Sequence, residues 1–152
     1  MPETIRILCV DDEVNVLNVI RRQLCDLDVE VHSALSAEDG LRFLRRTHPV
    51  HVVLSDFRMP GMNGIEFLKT VFRERPAVSR ILLSGYADAE AVQEALEQKK
   101  LFAFLHKPWK AGELEKIIIE AVVLSLAGHD TTVSPGSDLT CIINDRTEVQ
   151  PS

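Results

Sequence analysis

The stretch VHVVLSDFRMPGMNG, residues 50–64, contains one complete unit of the predicted fold. Residues 50–55 are almost entirely apolar, which is typical of a strand buried on both faces of a parallel sheet. The strand ends at Asp56, and the loop that follows contains Pro60, Gly61 and Gly64, which favour turns. An amphipathic helix is predicted directly after the loop. The stretch is therefore a strand, a loop and a helix, with a carboxylate where the strand ends.

The same unit of a strand followed by a helix recurs along the chain. Apolar runs predict strands at residues 5–10, 29–33, 50–55, 80–83 and 101–105, and helical spacing predicts helices at 14–24, 36–48, 65–75, 88–100 and 111–127. Ser36 has the character of a helix N-cap. Five such repeats predict an α/β fold with a parallel sheet and helices on both faces. The flavodoxin-like, doubly wound order 2-1-3-4-5 brings the carboxyl ends of strands 1 and 3 together at the switch point, where such sheets bind ligands.

Composition excludes several classes of function. The chain has 152 residues, with 17 Lys and Arg against 23 Asp and Glu, so its net charge of −6 gives no general attraction to nucleic acid. No apolar run approaches the roughly 20 residues that a membrane span needs. The N-terminus lacks the basic end and apolar core of a secretory signal. We therefore expect a cytoplasmic protein that binds neither a membrane nor nucleic acid directly.

The helical and strand patterns stop near residue 127. We expect one domain over residues 1–127 and a polar, poorly ordered tail or linker over residues 128–152, which is too short for a helix-turn-helix domain. The tail contains a brief apolar island at residues 139–143. That island leaves open a second interpretation, in which it docks as a strand on this domain or on a neighbour.

The cysteines do not indicate a disulfide framework or a zinc site. Cys9, Cys25 and Cys141 are an odd number of residues at wide spacing. We expect Cys9 and Cys25 to be small buried hydrophobic residues. The sequence leaves open whether Trp109 packs on the last helix or lies on an exposed face.

Polar residues follow four of the predicted strands at one edge of the sheet. Strand 1 is followed by Asp11 and Asp12, strand 3 by Asp56, strand 4 by Ser84 and strand 5 by Lys107. Three adjacent carboxylates repel one another, and a hard divalent cation such as Mg²⁺ relieves that repulsion. Taken alone, the pair of Asp11 and Asp12 favours a helix cap over a functional site. The combination of all five residues favours a functional site.

This combination suits phosphoryl transfer to a carboxylate. Fixed cations and hydrogen-bond donors stabilise the transferred group, and Asp56, at the end of the central strand, is the best candidate nucleophile. A dinucleotide-binding enzyme would need a glycine-rich turn after strand 1, where this chain has Asp11, Asp12 and Glu13. A haloacid-dehalogenase-like phosphatase would carry a second aspartate at the position of Arg58. Both alternatives are disfavoured.

With these residues at the strand ends, the chain resembles the receiver domain of two-component response regulators, over roughly residues 4–127. Each motif alone is weak, but four in the right order at the right strand ends are specific. The resemblance rests on Leu8-Cys9-Val10-Asp11-Asp12-Glu13, on Leu54-Ser55-Asp56 with the loop to Gly64, on Leu83-Ser84-Gly85, and on Lys107-Pro108-Trp109.

The resemblance implies a phosphoacceptor and a metal site. Asp56 would accept the phosphoryl group and contribute to the Mg²⁺ site. Asp12 would bind Mg²⁺ directly, Asp11 largely through water, and the backbone carbonyl of Arg58 would be a further ligand. The side chains of Arg58 and Tyr86 would flank the path of the water that hydrolyses the acyl phosphate, although both are equally consistent with ordinary loop residues.

The resemblance also implies a switch. Lys107 would pair with a phosphoryl oxygen, and Ser84 would hydrogen-bond another and draw its loop inward. Phe104 matches the rotating aromatic residue, where many relatives carry Tyr. Pro108 would follow a cis peptide bond, as is usual in the family.

The function implied is a phosphorylation-activated signalling switch. A sensor histidine kinase or a phosphotransfer protein would be the phosphodonor, and the face formed by helix 4, strand 5 and helix 5 would relay the signal. The same face is the candidate surface for a receiver homodimer. The chain would not be an enzyme beyond its own aspartyl phosphorylation and dephosphorylation. The alternative is a receiver-like interaction module that works without phosphorylation.

Overall fold

A computed structural model describes residues 4–47, 49–85, 89–98 and 103–127. Strands and helices alternate along these residues without exception. The strands are β1 (Arg6–Val10), β2 (Glu30–Ala34), β3 (Val52–Asp56), β4 (Ser79–Ser84) and β5 (Ala103–His106), and the helices are α1 (Val14–Gln23), α2 (Ala37–Arg46), α3 (Gly64–Glu74), α4 (Ala89–Glu97) and α5 (Glu113–Leu126). The ten predicted elements are confirmed, with ends that differ by a few residues.

The five strands form one parallel sheet in the order β2-β1-β3-β4-β5, as the sequence predicts. All five residues of β3 are buried, which agrees with its apolar sequence and its central place. The alternating strand β2 lies at an edge and is only partly buried. Asp56 is the last residue of β3 and lies opposite Leu83 of β4. The fold thus places this carboxylate at the carboxyl edge of the central strand.

Helices cover both faces of the sheet. On one face, α2, α3 and α4 pack on alternate strand residues such as Leu8 and Val53. On the other face, α1 and α5 pack on the intervening residues, such as Ile7 and Leu54. Successive side chains of a strand point to opposite faces, so the two cores share the same strands. Burial on both faces fixes the strand ends that carry the polar residues.

Helix ends follow local capping chemistry. The Ser36 hydroxyl accepts a hydrogen bond from the Asp39 N–H, which confirms the predicted N-cap of α2. Asn63 and Glu66 form a reciprocal capping box at the start of α3. The last helix begins at Glu113 rather than at residue 111, because the preceding Gly112 is left-handed at φ 86°.

One cysteine prediction is wrong. Cys9 is buried, as expected, but Cys25 is exposed. The helix α1 ends at Gln23, and the buried Leu24 takes the C-cap position, so Cys25 lies in the turn beyond the helical face that packs on the sheet. The predictions for residues 128–152, Cys141 and Tyr86 fall outside the described residues. Within the described part of the chain, no helix combines the length and apolar character that crossing a bilayer requires.

Candidate functional site

Three aspartates meet at the carboxyl edge of the sheet. Asp11 is buried and Asp12 exposed just beyond β1, and Asp56 is buried at the end of β3. Their carboxylates each offer an oxygen, and these oxygens all lie within 4.8 Å of one another. An all-oxygen donor set of this size fits a hard cation such as Mg²⁺. The N-cap of α1 is Glu13, which makes no side-chain capping bond, and Oδ1 of Asp11 accepts a hydrogen bond from the Glu13 N–H at 2.9 Å just before the helix.

Lys107 bridges the two buried carboxylates. Its Nζ atom lies 2.7 Å from Oδ1 of Asp56 and 3.3 Å from Oδ2 of Asp11. Its backbone N–H donates to the carbonyl of Ser84 at 2.9 Å, which anchors the end of β5 beside β4. The Lys107–Pro108 peptide bond is cis, as expected. The lysine thus reaches residues far away in sequence because β5 ends at the same edge.

Burial and charge oppose each other at the phosphoacceptor candidate. Burial raises the pKa of Asp56 above its usual value, and the neighbouring Asp11 and Asp12 add to this, although the hydrogen bond from Lys107 acts in the other direction. Burial alone would lower the pKa of Lys107, but its contacts with Asp56 and Asp11 outweigh burial and raise it. The lysine is therefore held charged, within a cluster that carries excess negative charge.

The two candidate switch residues lie beside this cluster. Ser84 is buried at the end of β4, and its hydroxyl donates to the carbonyl of Gly85 at 3.2 Å. Phe104 is half-buried in β5, contacts both hydrophobic cores, and lies edge-on to His106 with ring centroids 5.6 Å apart. A side chain shared by both cores is placed to respond when either face repacks.

Arg58 lies on the loop after β3. Its side chain is exposed, and its guanidinium carbon is 5.8 Å from the centre of the Phe57 ring. Its predicted partner Tyr86 belongs to the residues that are not described. The role of the pair in hydrolysis stays a prediction.

Two contacts near the site were not anticipated from the sequence. Trp109 is half-buried against the hydrophobic core that α1 and α5 form with the sheet. Its indole N–H donates to Oε1 of Gln23 at 2.7 Å. This resolves the question of where Trp109 lies. Gly64 approaches the main chain of Asp56 so closely that a Cβ atom could not fit there. The only signal in the sequence was the Asn63-Gly64 pair, which indicates a turn but not its neighbour in space.

A family model for the response regulator receiver domain matches residues 7–119. The chain belongs to the response regulator receiver family. The receiver domain is 37% identical over 116 residues to the hydrogenase transcriptional regulatory protein HoxA of Cupriavidus necator, a match that covers 76% of the chain and 24% of that protein. It is 36% identical over 119 residues to the regulatory protein AtoC of Escherichia coli, covering 78% of the chain and 25% of that protein.

Solved structures agree with this assignment. The crystal structure of a response regulator receiver domain protein from Clostridium thermocellum superposes with a TM-score of 0.75 at 30% identity, covering 81% of this chain and 98% of that one. The receiver domain spans about a quarter of the length of the two curated relatives. The similarity therefore concerns the signalling module and not the remaining parts of those proteins.

Proposed function

We propose that Asp56 accepts a phosphoryl group from the phosphohistidine of a sensor histidine kinase or a phosphotransfer protein. The observation that carries this is the contact of Asp56 with Lys107 at 2.7 Å inside the carboxylate cluster. A module that works without phosphorylation would have no need to keep an acceptor, an acidic pair and an ammonium group together. The receiver domain thus acts as a phosphorylation-activated signalling switch in the cytoplasm.

Transfer of the phosphoryl group from histidine to Asp56 needs no further reactant. A carboxylate oxygen of Asp56 attacks phosphorus, the new O–P bond forms as the P–N bond breaks, and the electron pair goes to the leaving imidazole. Lys107 pairs with a phosphoryl oxygen, a role that its 2.7 Å contact with Oδ1 of Asp56 supports. Asp11, Asp12, Asp56 and the Arg58 carbonyl would hold Mg²⁺. When bound, this ion neutralises part of the charge on the phosphoryl oxygens. The chain catalyses only this reaction on itself and the later hydrolysis, in which water attacks phosphorus, inorganic phosphate leaves and the Asp56 carboxylate is restored.

The acyl phosphate then biases the switch residues. The Ser84 hydroxyl leaves the Gly85 carbonyl and donates to a phosphoryl oxygen, and Phe104 repacks between the two cores. The face formed by α4, β5 and α5 changes shape and passes the signal to a partner, a second receiver or an output domain. HoxA and AtoC carry regulatory names, and we propose that this receiver likewise serves a regulatory output.

The acceptor is tested by intact-mass analysis after incubation with acetyl phosphate and Mg²⁺. The wild-type chain gains one phosphoryl group, and Asp56→Asn gains none. Asp26→Asn is the matched control, because it makes the same substitution at an exposed aspartate outside the site. Full labelling of Asp56→Asn would show that the acceptor lies elsewhere.

A further inference from the structure

We propose that Gly64 is a positioning residue for the phosphoacceptor, an inference that rests on the proposed role of Asp56. A Cβ atom built on Gly64 would lie 2.1 Å from the carbonyl oxygen of Asp56 and 2.9 Å from its carbonyl carbon. It would also lie 2.9 Å from the Cα atom of Phe57. These are main-chain atoms, which cannot rotate aside as a side chain does. The missing side chain lets the start of α3 lie directly against the peptide group that carries the acceptor.

That peptide group is fixed from several sides. The Ser55 hydroxyl donates to the Asp56 carbonyl at 2.9 Å. The Phe57 N–H donates to the Leu83 carbonyl at 2.9 Å, and the Gly64 N–H donates to the Phe57 carbonyl at 2.8 Å. The loop after β3 is thus closed at its two ends by Phe57 and Gly64. Any group that separates these ends displaces the carboxylate from Lys107 and from the other two aspartates.

The other described glycines do not share this property. A Cβ on Gly40 would meet the side chains of Phe67 and Val10 at 3.0 Å. Gly61 and Gly112 have positive φ angles, but a Cβ atom would fit at both positions. The atom nearest to a Cβ on Gly61 would be 3.5 Å away, and a Cβ on Gly112 would have no neighbour within 4 Å among the described residues, apart from those adjacent in the chain. Among the described residues, Gly64 is therefore the glycine that is required by its contact with the main chain at the site.

The overlap between an added Cβ atom and the Asp56 carbonyl oxygen sets the expected loss of phosphorylation rate. Real Cβ contacts essentially never fall below 3.0 Å, so an added Cβ at 2.1 Å forces a shift of at least 0.9 Å (3.0 − 2.1) between α3 and Asp56. A misplacement of about 1 Å in a reacting group can cost on the order of 100-fold in rate. We expect Gly64→Ala to lower the rate constant for phosphorylation by about 100-fold at saturating acetyl phosphate and Mg²⁺.

The experiment follows phosphorylation of the full chain by intact mass, at a temperature where circular dichroism shows each variant to be folded. Gly112→Ala is the matched control, because it makes the same substitution outside the site, at a position whose positive φ would strain an alanine. This control should lose stability while keeping the wild-type rate constant. A folded Gly64→Ala that is labelled as fast as the control would overturn the proposal. Wild-type and Asp56→Asn proteins are run in parallel, so that failure of the acceptor assignment is seen separately.

A second variant decides the matter if Gly64→Ala does not fold. Asn63→Ala removes the side chain that accepts the Glu66 N–H at 2.9 Å and so loosens the first turn of α3 without adding an atom near Asp56. Slower labelling by the folded variant supports positioning by this turn. A wild-type rate constant would overturn the proposal.

Discussion

Replacing Lys107 by methionine should make the receiver domain bind Mg²⁺ more tightly. The ammonium group lies 2.7 Å from Asp56 and 3.3 Å from Asp11, two of the three carboxylates that would hold the cation. A divalent ion that enters this cluster must compete with the lysine for the same oxygens. Methionine keeps the length of the apolar stem but has neither the charge nor the donors.

The expected magnitude follows from the hydrogen bond that is lost. Hydrogen bonds to charged groups contribute about 1.5–3 kcal/mol, and the lower end applies where one partner stays partly solvated. The side chains of Lys107 and Asp56 are 25% and 10% exposed, so solvent screens the pair only in part. Relief of about 1.5 kcal/mol, the lower end of this range, corresponds to a dissociation constant that is roughly tenfold lower.

Isothermal titration calorimetry with MgCl₂ at pH 7 and fixed ionic strength measures this change. Lys116→Met is the matched control, because it removes the same charge from an exposed position on α5. The control should bind Mg²⁺ like the wild type. Equal or weaker binding by Lys107→Met would refute the view that the ammonium group and the cation compete for these carboxylates.

Three further predictions concern other parts of the domain. Ser36→Ala removes the N-cap of α2 and should lower the free energy of unfolding by about 1 kcal/mol in urea denaturation; an unchanged midpoint would contradict the cap. Burial raises the pKa of Cys9 to about 12, so iodoacetamide at pH 8 should alkylate the exposed Cys25 and spare Cys9 in the native protein, as peptide mass mapping would show. Equal modification of both thiols would contradict this. Arg58→Asn combined with Tyr86→Ala should speed decay of the phosphorylated protein by about tenfold, a barrier change of roughly 1.4 kcal/mol, whereas an unchanged decay would remove both residues from this role.

The sequence was sufficient for the fold because each strand is short, apolar and followed by a helical pattern. Residues 50–55 predicted the central strand, and the polar residues after the strands predicted which groups share an edge, since parallel strands end together. For the same reason, the sequence was sufficient to predict that Asp11, Asp12, Asp56 and Lys107 lie together at one edge of the sheet.

Features that depend on distances in space were not accessible from the sequence. Helical spacing suggested that Cys25 is buried, but spacing does not show where a helix ends. The helix α1 ends at Gln23, two residues before Cys25, and Cys25 is exposed. The hydrogen bond from Trp109 to Gln23 joins residues 86 positions apart. The approach of Gly64 to the Asp56 carbonyl depends on the path of the whole loop between them.

The charges at the edge of the sheet explain why a cation belongs to the proposed reaction. Three carboxylates and one ammonium group leave an excess of negative charge, and burial of Asp11 and Asp56 weakens its screening by water. A phosphodonor is itself an anion, so the excess negative charge at this edge repels it until a cation such as Mg²⁺ is bound. Lys107 now contacts a carboxylate oxygen of Asp56. Formation of the acyl phosphate would remove the negative charge of that carboxylate, so the position of the lysine favours pairing with the phosphoryl group after transfer. Loss of that contact would free the ammonium group to follow the new charge, and this would couple the proposed chemistry at β3 to the end of β5 and the face beside it.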